Sequence, residues 1–180
     1  MLKKILIFLF IVKVFLLGYS YNNLLLISQA KIYPKLILFD KDIDKKTYEN
    51  SIVLTIIYHS SDQEKAKELQ KLIQDQYKAK LGNYTFKVIL KEFDETDDYM
   101  IASSIYMLNG TEKEIQKIIS IAQKRHIILF SYELNYLKKG ALISLHIEDE
   151  PNIYFNNKIN KLYQIKFSDI FYQIVRFRSD

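Results

Sequence analysis

Two short runs, Ser51–Tyr58 and residues 126–130, are apolar on both faces, and they limit the folds that this chain can adopt. Strands that are buried on both faces occur mainly in parallel sheets covered by helices. Two further strand-like runs, at residues 84–90 and 104–108, lie between them. One helical pattern separates residues 51–58 from residues 84–90, and a second separates residues 104–108 from residues 126–130. The order strand, helix, strand, strand, helix, strand predicts an α/β fold with a mostly parallel mixed sheet.

Both helical patterns begin with the sequence of a capping box. Ser61 with Glu64, and Thr111 with Glu114, place a hydroxyl at the N-cap and a carboxylate at N3, where each satisfies a free backbone N–H. Apolar residues then recur at helical spacing, at Ala66, Leu69, Ile73 and Tyr77 in the first segment and at Ile115, Ile118, Ile119 and Ala122 in the second. Because crossovers between parallel strands are right-handed, we expect helices on both faces of the sheet, as in flavodoxin or a single lobe of a binding protein.

The last third of the chain predicts a β-hairpin followed by a terminal helix. Residues 141–147 alternate apolar and polar side chains, and residues 153–156 form a second short run after a break. Gly140 precedes the hairpin, and we expect a positive φ there. Apolar side chains at helical spacing then predict a helix over residues 168–177.

The strand-like run at residues 84–90 carries charge that the other runs lack. Lys87 and Lys91 alternate with apolar positions. Lysines on a strand discourage pairing with another molecule, so this pattern predicts a strand at the edge of the sheet.

A helix is predicted over residues 24–39, with Pro34 ending or kinking it near Tyr33. Its apolar residues occupy more than one stripe. The helix is therefore either a core helix, which is the favoured interpretation, or one whose surplus apolar face meets a second subunit or another protein. The residues of that candidate interface are Leu25, Ile32, Leu36 and Leu38, and the terminal helix is the second candidate.

The first twenty residues have the pattern of a cleavable signal peptide. Lys3 and Lys4 form a positive region, residues 5–17 form an apolar region, and Gly18 and Ser20 are small residues of the kind a signal peptidase reads. We expect cleavage after Ser20 and export to the periplasm.

An uncleaved membrane anchor is the less favoured alternative. The apolar region of 13 residues contains Lys13 and falls short of the roughly 20 residues that span a bilayer as a helix. Residues 21–180 are then expected to form a single domain. The chain has no cysteine, which excludes disulfides and thiolate chemistry.

The formal net charge of +5 is no argument for nucleic-acid binding. Three lysines lie in the first twenty residues, and removing them from the 26 basic residues leaves 23 against 21 acidic residues. No basic stripe with interleaved aromatic residues occurs elsewhere, so we expect no nucleic-acid partner.

The order of elements resembles that of the YfiR-like family of bacterial periplasmic proteins. The resemblance is carried by Lys139-Gly140, by the strands at 141–147 and 153–156, and by Phe167-Ser168 at the start of the terminal helix. Phe39-Asp40 stands where the family has Trp-Pro, one glycine of the family's pair is missing, and there is no cysteine for redox control. Membership would imply a regulator that binds an inner-membrane signalling protein such as a diguanylate cyclase.

Motifs of enzymes are missing from the sequence, and we expect neither catalysis nor a cofactor. It contains no Gly-rich dinucleotide or phosphate loop, no zinc-protease helix motif and no nucleophile elbow. His59, His126 and His146 are far apart, so a metal site with three or four convergent ligands is not expected. Asp40, Asp42 and Asp44 resemble the start of a calcium loop, but Lys45 replaces its glycine, and a solvated loop is the better interpretation.

A small ligand, if one binds, is expected beyond the carboxyl ends of the first and third strands, where the strand order reverses. The residues of the two loops there are His59, Ser60 and Ser61 on one side and Asn109, Gly110 and Thr111 on the other. Both loops lead into helix N-termini, which attract anions. Glu64 and Glu114 would repel an anion, so helix capping is the favoured role of these loops.

Three functions remain after these observations. The first is a periplasmic regulatory protein that binds and modulates an inner-membrane signalling protein, a diguanylate cyclase or a sensor kinase, with a homodimer as an alternative use of the apolar face. The second is a small-ligand-binding module that resembles one lobe of a periplasmic binding protein. The third, an unrecognised hydrolase, has no motif in its favour.

Overall fold

The computed structural model describes residues 21–178 of the chain. The helices are α1 (Asn23–Ile37), α2 (Gln63–Tyr77), α3 (Glu112–Lys124), α4 (Tyr136–Lys139), α5 (Asn157–Tyr163) and α6 (Asp169–Ile174). The strands are β1 (Ser51–Tyr58), β2 (Lys80–Leu81), β3 (Tyr84–Glu92), β4 (Ser104–Met107), β5 (Ile128–Ser131), β6 (Ile143–Ile147), β7 (Pro151–Phe155) and β8 (Arg176–Phe177). The predicted signal peptide and its cleavage after Ser20 lie outside the described residues. Within residues 21–178, no helix combines the length and apolarity needed to cross a membrane.

The described residues form one central sheet of eight strands, in the order β2-β3-β1-β4-β5-β6-β7-β8. The strands β3, β1, β4, β5 and β6 run parallel to one another. Strand β2 is antiparallel to β3, β7 is antiparallel to β6, and β8 is parallel to β7. The predicted α/β fold is confirmed. The strand order reverses at β1, between β3 and β4, as the sequence predicts.

Helices lie on both faces of this sheet. All eight residues of β1 are buried, which explains why its sequence is apolar on both sides. The crossover through α2 leads from β1 to β3, and the crossover through α3 leads from β4 to β5 in the opposite direction along the sheet. Two right-handed crossovers in opposite directions place their helices on opposite faces. Helix α1 packs beside α2.

Helix α1 differs from its prediction in two respects. It continues through Pro34 to Ile37 and does not end near Tyr33, because the buried side chains of its last turn hold it against the core. Leu36 is only 2% exposed, so it is a core residue and was wrongly assigned to a candidate interface. The other three residues of that candidate interface remain accessible: Leu25 and Ile32 are half-buried, and Leu38 is 38% exposed.

One of the two predicted capping boxes is present. At the start of α3 the Thr111 hydroxyl accepts from the Glu114 N–H, and the Glu114 carboxylate accepts from the Thr111 N–H at 2.7 Å. The box predicted at Ser61 is wrong. A 3₁₀ turn, Ser60–Asp62, precedes α2 instead, and the His59 ring nitrogen accepts from the Ser61 N–H at 3.3 Å.

The hairpin is confirmed, but the terminal helix is shorter than predicted. Strands β6 and β7 pair from Ile143↔Phe155 to Ile147↔Pro151. Helix α6 ends at Ile174, and the chain then extends into β8, which pairs with β7. Phe155, Phe167 and Phe171 form a buried aromatic cluster that holds this last segment on the sheet.

Replacing Gly140 with valine should lower the free energy of unfolding by about 1–3 kcal/mol. Gly140 has a φ of +120°, as the sequence predicts, and a Cβ there would lie 3.0 Å from Ile119 Cγ2. Urea denaturation followed by circular dichroism measures the loss. Gly140→Asn is the matched control, because asparagine tolerates a positive φ better, and it should lose less; equal losses would mean that contact with Ile119 dominates and the backbone does not.

Candidate functional site

The two loops predicted to hold a ligand meet at the carboxyl edge of the sheet. His59 and Ser60 from the first loop line a small cavity together with Glu114 at the start of α3. Its volume is about 20 Å³, which is enough for a single water molecule and far below the space that a metabolite needs. The other lining residues come from the end of β3 and the turn after it: Glu92, Phe93 and Asp94.

Phe93 fills the crevice from the side of β3. Its side chain is only 2% exposed and packs directly on the backbone of Gly110. A Cβ at Gly110 would lie 2.7 Å from the ring atom Cζ of Phe93. Gly110 therefore provides room for an aromatic ring of the same chain, which is a packing role that the sequence does not reveal.

Tyr21 fills the crevice from the opposite side. Its hydroxyl donates to Asp62 Oδ2 at 2.6 Å and accepts from the Asn109 N–H at 3.2 Å. Its ring centroid lies 4.7 Å from that of Tyr132. Burial and the hydrogen bond to Asp62 raise the pKa of the Tyr21 phenol well above its ordinary value, so the phenol is a neutral hydrogen-bond donor.

Asp62 and Asn109 are the polar groups that receive Tyr21. Asp62 is 4% exposed, and a buried carboxylate needs a hydrogen-bond donor beside it. The side chain of Asn109 is also engaged within the protein, since its Oδ1 accepts from the Tyr136 hydroxyl at 3.3 Å. The Asn22 N–H donates to the Tyr132 hydroxyl at 2.7 Å and anchors the same segment. Asp62 and the N–H and Oδ1 of Asn109 are thus hydrogen-bonded within the chain itself.

Carboxylates surround what remains of the crevice. Glu92, Asp94 and Glu114 line the small cavity. Glu114 caps α3, as predicted, and adds negative charge at the helix N-terminus. An anionic ligand would be repelled from this position. Glu64, the other carboxylate for which the sequence predicts this effect, does not line the cavity.

A second opening at the same edge is closed by α1. Strands β5 and β6 pair only at Phe130↔Ile143 and Ser131↔Ser144. Farther on, Gln29 Nε2 donates to the carbonyl oxygens of Tyr132 and Leu145 at 3.0 and 3.2 Å. The Tyr33 hydroxyl donates to the Ser131 carbonyl at 2.9 Å and accepts from the Leu145 N–H at 2.8 Å. Side chains of the helix thus replace sheet hydrogen bonds.

The other candidate ligands of a metal remain apart. Among residues 21–178, no group of three or more His, Asp or Glu side chains could hold a metal ion. Asp40 forms a salt bridge with Lys46, and Asp42 forms one with Lys45. The His126 ring lies against the carbonyl of Tyr163 at 2.9 Å.

The sequence identifies the loops on either side of the crevice but not the residues that fill it. Tyr21 meets Asp62 and Asn109 across 41 and 88 positions of the chain, and Phe93 belongs to a short turn without a periodic pattern. Alternation and helical spacing report only local structure, so neither could reveal these contacts.

Comparison with known proteins gives similarity of fold only. No model of a known protein family matches the sequence, and neither does any curated protein. The structure is similar to that of a conserved domain protein from Vibrio cholerae O1 biovar El Tor, with a TM-score of 0.60 and 11% sequence identity over 84% of this chain and 59% of that chain. It is also similar to an ABC domain from Streptococcus pneumoniae in complex with L-Trp, with a TM-score of 0.50 and 10% identity over 79% of this chain and 62% of that one.

These similarities support the α/β fold, and the chain spans about three fifths of the length of each of the two proteins. At such low identity they carry no function across. The resemblance to the YfiR-like family stays a prediction.

Proposed function

We propose that this protein is an exported regulatory protein that acts by contact, binding and modulating an inner-membrane signalling protein such as a diguanylate cyclase or a sensor kinase. One observation carries the proposal: the chain's own Tyr21 and Phe93 fill the crevice where an open α/β sheet would bind a small ligand. The signal-peptide pattern and the resemblance to the YfiR-like family support the same function.

Deletion of the gene tests this proposal. We expect the intracellular concentration of cyclic di-GMP, or the output of the partner kinase, to change on deletion and to return when the full chain is supplied. A chain that lacks residues 1–20 should not restore it, because it would not reach the periplasm. If the deletion changes neither output, or if the truncated chain restores it, the proposal is wrong.

A homodimer is the alternative use of the accessible apolar face of α1. Leu24 and Ile27 add to this face, since they are 69% and 47% exposed. Light scattering on the purified protein distinguishes a dimer from a monomer that is free to bind another protein.

A small-ligand-binding module is the second candidate function. It is favoured by the structural similarity to a domain that was solved with L-Trp. For this chain the function requires that Tyr21 leave the crevice. Its departure would expose the Asp62 carboxylate, the Asn109 N–H and the ring of Tyr132 to a ligand.

Replacing Tyr21 with glycine should create a cavity that binds a phenol. We expect the variant to lose about 1–3 kcal/mol of stability, because Asp62 Oδ2 loses the Tyr21 hydroxyl as its hydrogen-bond donor. Added p-cresol should raise the melting temperature of the variant but not of the wild type. Toluene, which has no hydroxyl group, should do so less.

Tyr99→Gly is the matched control for this experiment, since Tyr99 is 93% exposed. Its melting temperature should not respond to p-cresol. An equal response of the two variants would show that p-cresol acts elsewhere, and the crevice would then not be a ligand site.

A further inference from the structure

Strand β3 has an open edge. Its inner side pairs with β1 from Ser51↔Thr85 to Tyr58↔Glu92. On its outer side, β2 pairs only with Tyr84 and Thr85. No other strand in the described part of the chain lies beside β3, so most of its length forms one edge of the sheet. The predicted edge strand is thus covered by β2 only at its start.

The free backbone groups on this edge can be assigned. The Phe86 N–H donates outward to the Ala79 carbonyl at 2.9 Å, and the Val88 carbonyl accepts from Gln70 Nε2 at 2.8 Å. The backbone N–H and C=O groups of successive strand residues point to opposite sides of the strand. Those of Phe86, Val88 and Leu90 therefore all point away from β1. The N–H of Val88 and both backbone groups of Leu90 are therefore available to an added strand.

A cleft lies on each face of the sheet beside this edge. One cleft, of about 540 Å³, is lined by Gln74, Lys78, Phe86 and Val88 on the side of α2. The other, of about 240 Å³, is lined on the opposite face by the apolar residues Val53, Ile89 and Ile101, by Tyr48 and by the ion pair of Lys87 with Glu49. An extended chain directs alternate side chains to opposite faces, so it would place one set in each cleft.

The edge is positively charged. Lys78, Lys80 and Lys91 form no salt bridge within residues 21–178, and the pair of Lys87 with Glu49, at 3.6 Å, is exposed. A second copy of this chain would bring the same lysines against one another, which is unfavourable. An acidic segment would be attracted to them.

We infer that the β3 edge binds an extended segment of a partner protein in which apolar and acidic residues alternate. The segment adds a strand to the sheet, with hydrogen bonds to Val88 and Leu90. Its apolar side chains enter the cleft at Ile89 and Ile101, and its carboxylates face Lys78. This inference rests on the proposed function, because it names the surface through which contact is made.

A synthetic peptide in which valine and glutamate alternate is the probe. We expect its addition to the isotope-labelled protein to shift the amide signals of Val88 and Leu90 and to slow their hydrogen exchange. A peptide with lysine in place of glutamate should not bind. The double variant Lys78→Glu, Lys87→Glu should weaken binding at least about tenfold, because it reverses two charges at the edge.

The matched control reverses two exposed lysines elsewhere, Lys113→Glu on α3 and Lys161→Glu on α5, and it should bind the peptide as the wild type does. Amide shifts confined to other residues, or equal weakening in both double variants, would overturn the inference. So would self-association of the unliganded protein through the Val88 amide. The same double variant can also be supplied to the deletion strain. If the Lys78→Glu, Lys87→Glu variant still restores the cyclic di-GMP response, the edge is not the docking surface, and the proposed regulatory function is unaffected.

Discussion

Replacing Gln29 with leucine should lower the free energy of unfolding by about 3–5 kcal/mol, although the two side chains are similar in size. Gln29 is fully buried. Its amide donates to the carbonyl oxygens of Tyr132 and Leu145, and its oxygen accepts from the Tyr106 hydroxyl. Leucine would leave these three groups buried without partners, and each such loss costs about 1–3 kcal/mol. Urea denaturation measures the difference.

Two variants control this experiment. Tyr106→Phe removes only the hydroxyl that donates to Gln29 and should cost less, about 1–2 kcal/mol. Gln76→Leu places the same substitution at an exposed position of α2 and should change stability by less than about 0.5 kcal/mol. If Gln29→Leu costs no more than Gln76→Leu, the polar bridge between β5 and β6 contributes nothing to the fold.

The start of the described chain closes both openings at the carboxyl edge of the sheet. Tyr21 enters the crevice between β1 and β4, and Gln29 and Tyr33 bridge β5 and β6. Doubly wound sheets use this edge for ligands. In this protein that edge is occupied by the segment that follows the predicted signal peptide.

The parallel core could be predicted from the sequence because its signals are local. The eight apolar positions of Ser51–Tyr58 mark a strand buried on both faces, and right-handed crossovers fix where α2 and α3 pack. Thr111 and Glu114 form a capping box within one helical turn. In each case the residues that interact are close in sequence or follow a fixed period.

The other features depend on contacts between distant residues. The Ser61 hydroxyl was predicted to cap α2, but it lies beside the His59 ring nitrogen at 2.9 Å. Leu36 belongs to an apolar pattern with no single face, and only packing decides that it is buried while Leu38 is exposed. The two loops lie at the edge of the sheet where the strand order reverses, yet Tyr21 and Phe93, which fill the crevice between them, could not be assigned to it from any periodic pattern.

The C-terminal segment shows the same limit. Helical spacing predicts a helix over residues 168–177, but the helix ends at Ile174 because backbone pairing with β7 replaces its last turn. The Arg178 N–H donates to the Phe155 carbonyl at 3.0 Å. Phe155 thus joins the hairpin, α6 and β8 through both its backbone and its ring.

Phe155→Ala should therefore lower the free energy of unfolding by about 3–5 kcal/mol. Phe155 is fully buried, and its ring centroid lies 5.4 Å from that of Phe167 and 5.0 Å from that of Phe171. Alanine would leave a cavity at the centre of the aromatic cluster, and the pairing of β7 with β8 would lose its support. Urea denaturation gives the total loss of stability. Relative to the wild type, the rate of amide hydrogen exchange should increase most in α6 and β8.

Phe177→Ala is the matched control, because the ring of Phe177 also contacts Phe155, at 6.2 Å between centroids, but is 57% exposed. It should cost less than about 1 kcal/mol, since little apolar surface returns to water. The two variants separate burial from aromatic contact, as both remove a ring that faces another ring of the cluster. Similar losses in the two would show that the cluster is not the core of the C-terminal segment. A large loss for Phe155→Ala without faster exchange in α6 and β8 would show that the hairpin alone depends on the ring.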